Sequence, residues 1–235
     1  MSHVRSRHLM VLQQAQQREQ ANAERTALEH VRSVLEGTRP ATWVFTGDTI
    51  VQGGGQIGAG RTFSEQFGDR LRNKLRRLLD VIVNTGVPNS RCENFLKTFD
   101  WRVTRFEPDA VFLMLGSNDA TTEATDRDRL REQLHDVADA FESAGIPLIL
   151  QTPPPARPDR SAEAGELPAY VAVLREVAAE REIVLIDHWS LFQNRLANAD
   201  SVPDWWTADG HLPNLRGHAE LARQLVGALH SCRQK

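Results

Sequence analysis

The chain predicts a three-layer α/β/α sandwich built on a five-stranded parallel sheet, with an extra N-terminal helix. Three observations predict it. Its 235 residues, 40% hydrophobic and 25% charged, suit one large domain with an appendage, able to bury roughly 70% of its unfolded surface. Five short runs after Pro40 are nearly all apolar instead of alternating, as strands covered on both faces are. Segments of helical period separate those runs, the order that produces parallel strands with right-handed crossovers. The helical extension is expected over 1–40 and the sandwich domain over 41–235.

The extension is helix-favouring from about residue 9 to 36, with Leu28, Val31 and Leu35 on one stripe and Gln, Arg and Glu elsewhere. Gly37 and Pro40 end it. A helix this polar either lies across the edge of its own domain or pairs with a second copy. Packing on its own domain is the expectation, and a homodimer through this helix is the alternative. The strands are expected at Thr42 to Thr46, Val81 to Asn84, Ala110 to Leu115, Pro147 to Gln151 and Ile183 to Ile186. Helices are expected at Ser64 to Leu79, Cys92 to Arg105, Asp126 to Ser143, Leu167 to Glu180 and about Leu215 to His230. In open parallel sheets ligands bind at the carboxyl ends of the strands, so the site is expected in the loops just after them.

Composition narrows the partners. Lys+Arg 28 against Asp+Glu 31 leaves a net charge of -3, without the basic surplus of a nucleic-acid binder. Cys92 and Cys232 stand alone, so neither a disulfide framework nor a zinc knuckle is indicated. No metal or cofactor is implied. Lacking a bilayer-length apolar run and a signal-peptide core, the chain reads as cytoplasmic, with no membrane partner. Gly53-Gly54-Gly55-Gln56-Ile57-Gly58 satisfies G-x-G-x-x-G, but it starts several residues past its strand and the next strand ends in Asn84, not an acidic residue, so dinucleotide binding is set aside. The run Arg70, Arg72, Lys74, Arg76, Arg77 reads as a solvated helix face.

The strand ends carry the chemistry. The first strand runs into Gly47-Asp48-Thr49-Ile50, which exposes a hydroxyl at a turn; the second ends in Asn84-Thr85-Gly86, which offers a backbone N-H. The third ends in Gly116-Ser117-Asn118-Asp119, with an amide donor at Asn118, and near the C-terminus stands Asp209-Gly210-His211-Leu212-Pro213-Asn214. A hydroxyl, oxyanion donors, an imidazole and a carboxylate are the set that acyl transfer requires.

In this order the blocks resemble the SGNH or GDSL family of esterases, lipases and acyltransferases, from about Trp43 to Leu229. The resemblance implies a flavodoxin-like sandwich and a small-molecule ester or acyl substrate. It implies Thr49 as nucleophile in place of the family's serine, His211 as base and Asp209 as its partner. Thr49, Gly86 and Asn118 would form the oxyanion hole. The last block departs from the usual Asp-x-x-His, since an ungapped match puts Leu212 at the histidine position. Asp187-His188 is the rival acid and base pair, and His218 reads as helix-start packing.

Asp48, Arg61, Trp205 and Trp206 are expected to bind substrate: Arg61 to meet an anionic group, and at least one of two adjacent loop indoles to line the pocket or an interface. The extra methyl of Thr49 stiffens χ1 and crowds an ester's approach, so slow turnover or selectivity for small acyl groups is expected. Three functions stand open: an esterase of a small-molecule or carbohydrate ester, an acyltransferase on the same scaffold, and a non-catalytic binding descendant. A weaker further reading has the hydroxyl position a substrate for a reaction run by Asp48, Asp119 or Asp209.

Overall fold

The computed structural model describes residues 29–121, 125–160 and 165–231. Most of the expected N-terminal helix lies outside them; residues 29–36 are helical (α1). There follow β1 (Thr42–Gly47), α2 (Thr49–Gln52), α3 (Phe63–Leu75), β2 (Val81–Asn84), α4 (Cys92–Lys97) and α5 (Phe99–Arg102). Then come β3 (Ala110–Met114), α6 (Arg127–Ala144), β4 (Leu148–Gln151), α7 (Leu167–Glu180), β5 (Val184–Ile186), α8 (His188–Ala197) and α9 (Leu215–Ser231).

The strands form one sheet in the order β2-β1-β3-β4-β5, each pair parallel. The chain passes from β1 outward to β2 and then back across to β3. The crevice at that reversal, between the carboxyl ends of β1 and β3, is where such a sheet accepts a ligand.

Alternating side chains feed two cores. Trp43, Phe45 and Phe112 face α3 and α9, packing with Phe63, Phe67, Leu221 and Leu225. The Phe45 and Phe112 rings stack at 4.6 Å. Val44, Val111 and Leu113 point the other way, onto Phe95, Phe141 and Leu174 of α4, α6 and α7. Val31 of α1 is buried in the first core, with Val34 and Leu35 packed against it.

The helices depart from expectation in four places. The helix expected over 92–105 breaks at Thr98, whose hydroxyl turns back to the Asn94 and Phe95 carbonyls, and resumes as the single turn α5. The helix expected to reach Leu79 stops at Leu75, because Arg76 adopts a left-handed conformation (φ 60). Two helices had no counterpart in the sequence reading: α2, capped by Asp48, and α8, capped by Asp187, whose carboxylate accepts from Ser190 N-H at 3.1 Å.

Arg77 also departs from the solvated face assigned to it. Its side chain is 5% exposed and pairs with Asp80, itself 3% exposed, at 2.6 Å. The guanidinium also donates to the carbonyls of Gly37 and Arg39, while Asp80 accepts from Trp43 Nε1 at 2.8 Å and Ala41 N-H at 3.2 Å. One buried pair thus ties the segment after α1 to the first strand. Truncating one partner strands the other's charge, which typically costs about 3–5 kcal/mol. Asp80→Ala is therefore expected to lower unfolding stability by about that amount in urea titrations, without changing the denaturant slope. A loss under about 1 kcal/mol would contradict this account.

Candidate active site

The turn after β1 is set by a close approach. A Cβ on Gly47 would lie 2.1 Å from the Met114 carbonyl of β3, and the residue sits at φ 152, so only glycine fits. The chain then turns at once into α2. Asp48 caps that turn, with Oδ1 accepting from Ile50 N-H at 2.9 Å. Its other oxygen accepts the Ser117 hydroxyl and, at 3.4 Å, Asn118 Nδ2. Asp48 is fully buried, and burial pushes its carboxyl up against the opposing hydrogen bonds from Ser117 and Ile50.

Thr49 follows, half-buried, with Oγ1 accepting from Asn89 N-H at 3.0 Å. That contact leaves the hydroxyl proton for another acceptor. The Thr49 carbonyl accepts from Gln56 Nε2 at 2.6 Å, and Gln56 Oε1 meets His218 Nε2 at 3.4 Å. His218 is buried, and its Nδ1 accepts from Phe63 N-H at 3.1 Å.

Across the crevice, Asn118 Nδ2 also donates to the Ser90 carbonyl at 3.2 Å. Asp119 beside it is buried, with Oδ1 accepting from Cys92 N-H at 3.2 Å and Oδ2 without a hydrogen-bond partner among the described residues. Burial, with the charge of Asp48 adding to it, pushes the Asp119 carboxyl up to about 6.

The last loop folds on itself. Thr207 N-H donates to the Leu212 carbonyl at 2.8 Å, and Asp209 Oδ1 accepts both the Thr207 hydroxyl at 2.6 Å and His211 N-H at 3.0 Å. These bonds, the Thr207 hydroxyl first, hold Asp209 below the usual carboxylate range. Asp209 thus fixes the backbone that carries the imidazole.

Thr49, Asn118 and His211 converge on one cavity of about 170 Å³, floored by Asp48 and Ser117 and walled by Pro153 and Pro154. Ser117 is an addition, within a block already singled out in the sequence. Five expected residues do not line it, Asp209 among them, bonded within its own loop; the other four lie elsewhere. Gly86 N-H donates to Asn84 Oδ1 at 2.9 Å, and the residue packs so close to α2 that a Cβ would lie 2.4 Å from Gln52 N. Arg61 pairs with Asp69 on the surface. Trp206 is 4% exposed, and Trp205 packs against the same core. Both indoles meet Phe192 of α8, at 6.1 and 5.0 Å, and Trp206 Nε1 donates to the Pro155 carbonyl at 2.9 Å. They brace the proline wall from behind.

His188, the rival base, is fully buried in the core between Gln224 Oε1 at 2.8 Å and Gln151 Oε1 at 3.0 Å. Asp187 beside it caps α8 and pairs with Arg175 at 2.8 Å. Among the described residues no group of three or more His, Cys, Asp and Glu side chains is placed to hold a metal ion, and no helix is long and apolar enough to cross a membrane.

A family profile described as the GDSL-like Lipase/Acylhydrolase family matches residues 45–220. None of the curated protein sequences matches the chain. Among solved structures the fold is similar to LAE5, an alpha/beta hydrolase enzyme from the metagenome of Lake Arreo, Spain, with TM-score 0.70, 20% identity and coverage of 83% of this chain and 97% of that one. It is also similar to Axe2, an acetylxylan esterase from Geobacillus stearothermophilus (0.68, 21%, 80% and 94%), and to the acetyl xylan esterase AlAXEase (0.67, 21%, 80% and 98%).

The buried ionisable groups give a pH signature. Burial lowers His188 and His218 from 6.5 to about 4, so between those values the unfolded chain binds the more protons and stability falls as pH falls. Asp119 opposes this trend. Its folded carboxyl lies above its unfolded 3.8, so its stabilising contribution is present in acid and is lost as pH rises through about 6. Asp119→Asn is therefore expected to gain roughly 1–3 kcal/mol at pH 7.5, a gain that shrinks toward zero near pH 4. Urea titrations at both pH values check it, and an equal gain at each would contradict a raised carboxyl.

Proposed function

We propose that this chain, which belongs to the GDSL-like lipase/acylhydrolase family, hydrolyses short-acyl esters, with Thr49 as nucleophile and His211 as base. The observation that carries the reading is the single cavity shared by Thr49, Asn118 and His211. In the proposed step Thr49 Oγ1 attacks the acyl carbon as its proton passes to His211, and Asp209 steadies the imidazolium. The carbonyl electrons move to oxygen, where the Thr49 N-H and the Asn118 amide receive the charge. Collapse breaks the ester bond, and the departing alcohol takes the proton from His211. Water, deprotonated by the same imidazole, then releases the acid and restores the threonine.

Gly86 joins the oxyanion donors only when Asn84 gives up its N-H, so the main burden falls on Asn118. The Asn89 N-H on Thr49 Oγ1 favours a developing alkoxide.

Acyl size follows from the room available. About 170 Å³ is well below the roughly 300–1,000 Å³ of drug-sized sites, and the threonine methyl narrows the approach further. An acetyl ester is the substrate class we favour, with the acetyl xylan esterases among the similar folds adding a carbohydrate alcohol as the leaving group. Acyl transfer to an acceptor other than water uses the same first step.

One observation favours a second reading, a binding module without turnover: the Asp209 carboxylate is bonded to its own loop. Activity toward 4-nitrophenyl acetate separates the two. Thr49→Ala and His211→Ala are each expected to lose about 10³-fold or more in kcat/KM, and Asn118→Ala about 10²–10³-fold. Thr49→Ser should retain or raise turnover. Equal rates for wild type and both alanine variants would remove Thr49 and His211 from the reaction.

A further inference from the structure

Arg102 lies beneath the site and takes no part in the reaction above. Its side chain belongs to the last residue of α5, is 1% exposed, and gives its hydrogen bonds to oxygens at the end of β1 and in the loop after β2. Nε donates to Thr46 Oγ1 at 3.2 Å and Nη2 donates to the Gly47 carbonyl, both at the end of β1. Nη1 donates to Ser90 Oγ at 2.9 Å, in the loop after β2. Ser90 in turn offers its carbonyl to Asn118, and the Arg102 carbonyl accepts the Thr85 hydroxyl at 2.9 Å. The guanidinium also lies over the Phe95 ring, 5.0 Å from its centroid.

We propose that Arg102 is a positioning residue: the planar fork of one buried guanidinium sets the distance between the Thr49 turn and the Asn118 amide by bonding Gly47 on one side and Ser90 on the other.

Three arguments support this. Burying a guanidinium without a direct carboxylate partner is costly, and a well-packed apolar side chain would hold the same volume more cheaply. Arg102 nevertheless bonds only uncharged oxygens among the described residues. Secondly, the fork geometry fixes angles as well as distances, which a lysine ammonium on a flexible stem does not. Thirdly, the break at Thr98 and the kink at Val103 (φ -128, ψ -72) give this residue its own single turn, and α5 carries it beneath the end of β1. Burial lowers Arg102 to about 10, with the Asp48 charge opposing the shift, so the group is a cation at neutral pH. The buried carboxylate that caps α2 and the buried cation that holds Gly47 thus offset each other across one peptide.

The inference rests on the ester-hydrolysis reading, so its test pairs an activity measurement with one that needs no activity. Arg102→Lys is expected to fold, shown by an unchanged far-ultraviolet spectrum, and to lose about 10²-fold in kcat on 4-nitrophenyl acetate with KM within threefold of wild type. Arg102→Ala is expected to regain at least about tenfold of its lost kcat on adding millimolar guanidinium, which leaves wild type unaffected. Hydrogen exchange followed by mass spectrometry is expected to speed up over 47–52 and 87–90 in both variants, with the α6 and α7 peptides unchanged.

Should Arg102→Ala not fold, Ser90→Ala cuts only the link toward Asn118. It is expected to lower kcat about tenfold and to loosen 87–90. Wild-type kcat in folded Arg102→Lys, or in Ser90→Ala, overturns the positioning role while leaving the ester reading intact. A wild-type chain without hydrolytic activity, whose variants still exchange faster over those two segments alone, keeps the positioning role and overturns the ester reading.

Discussion

The carboxylate of Asp48 carries more of this site than any other group. It is buried just past the end of β1, beside the loop that follows β3, and it serves both. One oxygen accepts the Ile50 N-H that starts α2; the other accepts the Ser117 hydroxyl and, more weakly, the Asn118 amide. An acceptor so placed converts two loops into one rigid piece, because releasing either loop exposes an unsolvated charge. Gly47 makes the arrangement sterically feasible by bringing the backbone of β1 against Met114. The hydroxyl of Thr49 inherits its position from these two neighbours.

Around this carboxylate the interior is unusually rich in ionisable groups. Asp119 lies close enough for the two carboxylates to repel, which adds to the burial that pushes Asp119 up to about 6. Arg102 supplies the opposing charge from below, through neutral oxygens instead of an ion pair. His188 and His218 are packed as neutral rings, His188 between the amides of Gln151 and Gln224 and His218 against Phe63 and Gln56.

Much of this was legible in the sequence because parallel α/β sheets obey a positional rule. Near-continuous apolar runs located the strands within a residue or two, and the rule that ligands sit at carboxyl ends directed attention to Thr49, Asn118 and His211, which border one cavity. Local periodicity fails where a side chain bonds across the fold. Gly86 was expected to have a free N-H, yet the Asn84 side chain two residues earlier takes it. The adjacent indoles looked too many for a core because α8, whose Phe192 receives both, was itself unrecognised. Arg102 fell on an apparently continuous amphipathic helix, and only the break at Thr98 carries it beneath the site. Arg77 was likewise counted among surface cations because its partner Asp80 lies past the helix end.

Trp206 Nε1 on the Pro155 carbonyl and Arg157 N-H on the Gly210 carbonyl at 2.8 Å join the proline wall to the histidine loop. They therefore move as a unit. A lineage that widened this chamber by lengthening the proline segment would at the same time shift the His211 imidazole, so the width of the cavity and the place of that ring are inherited together.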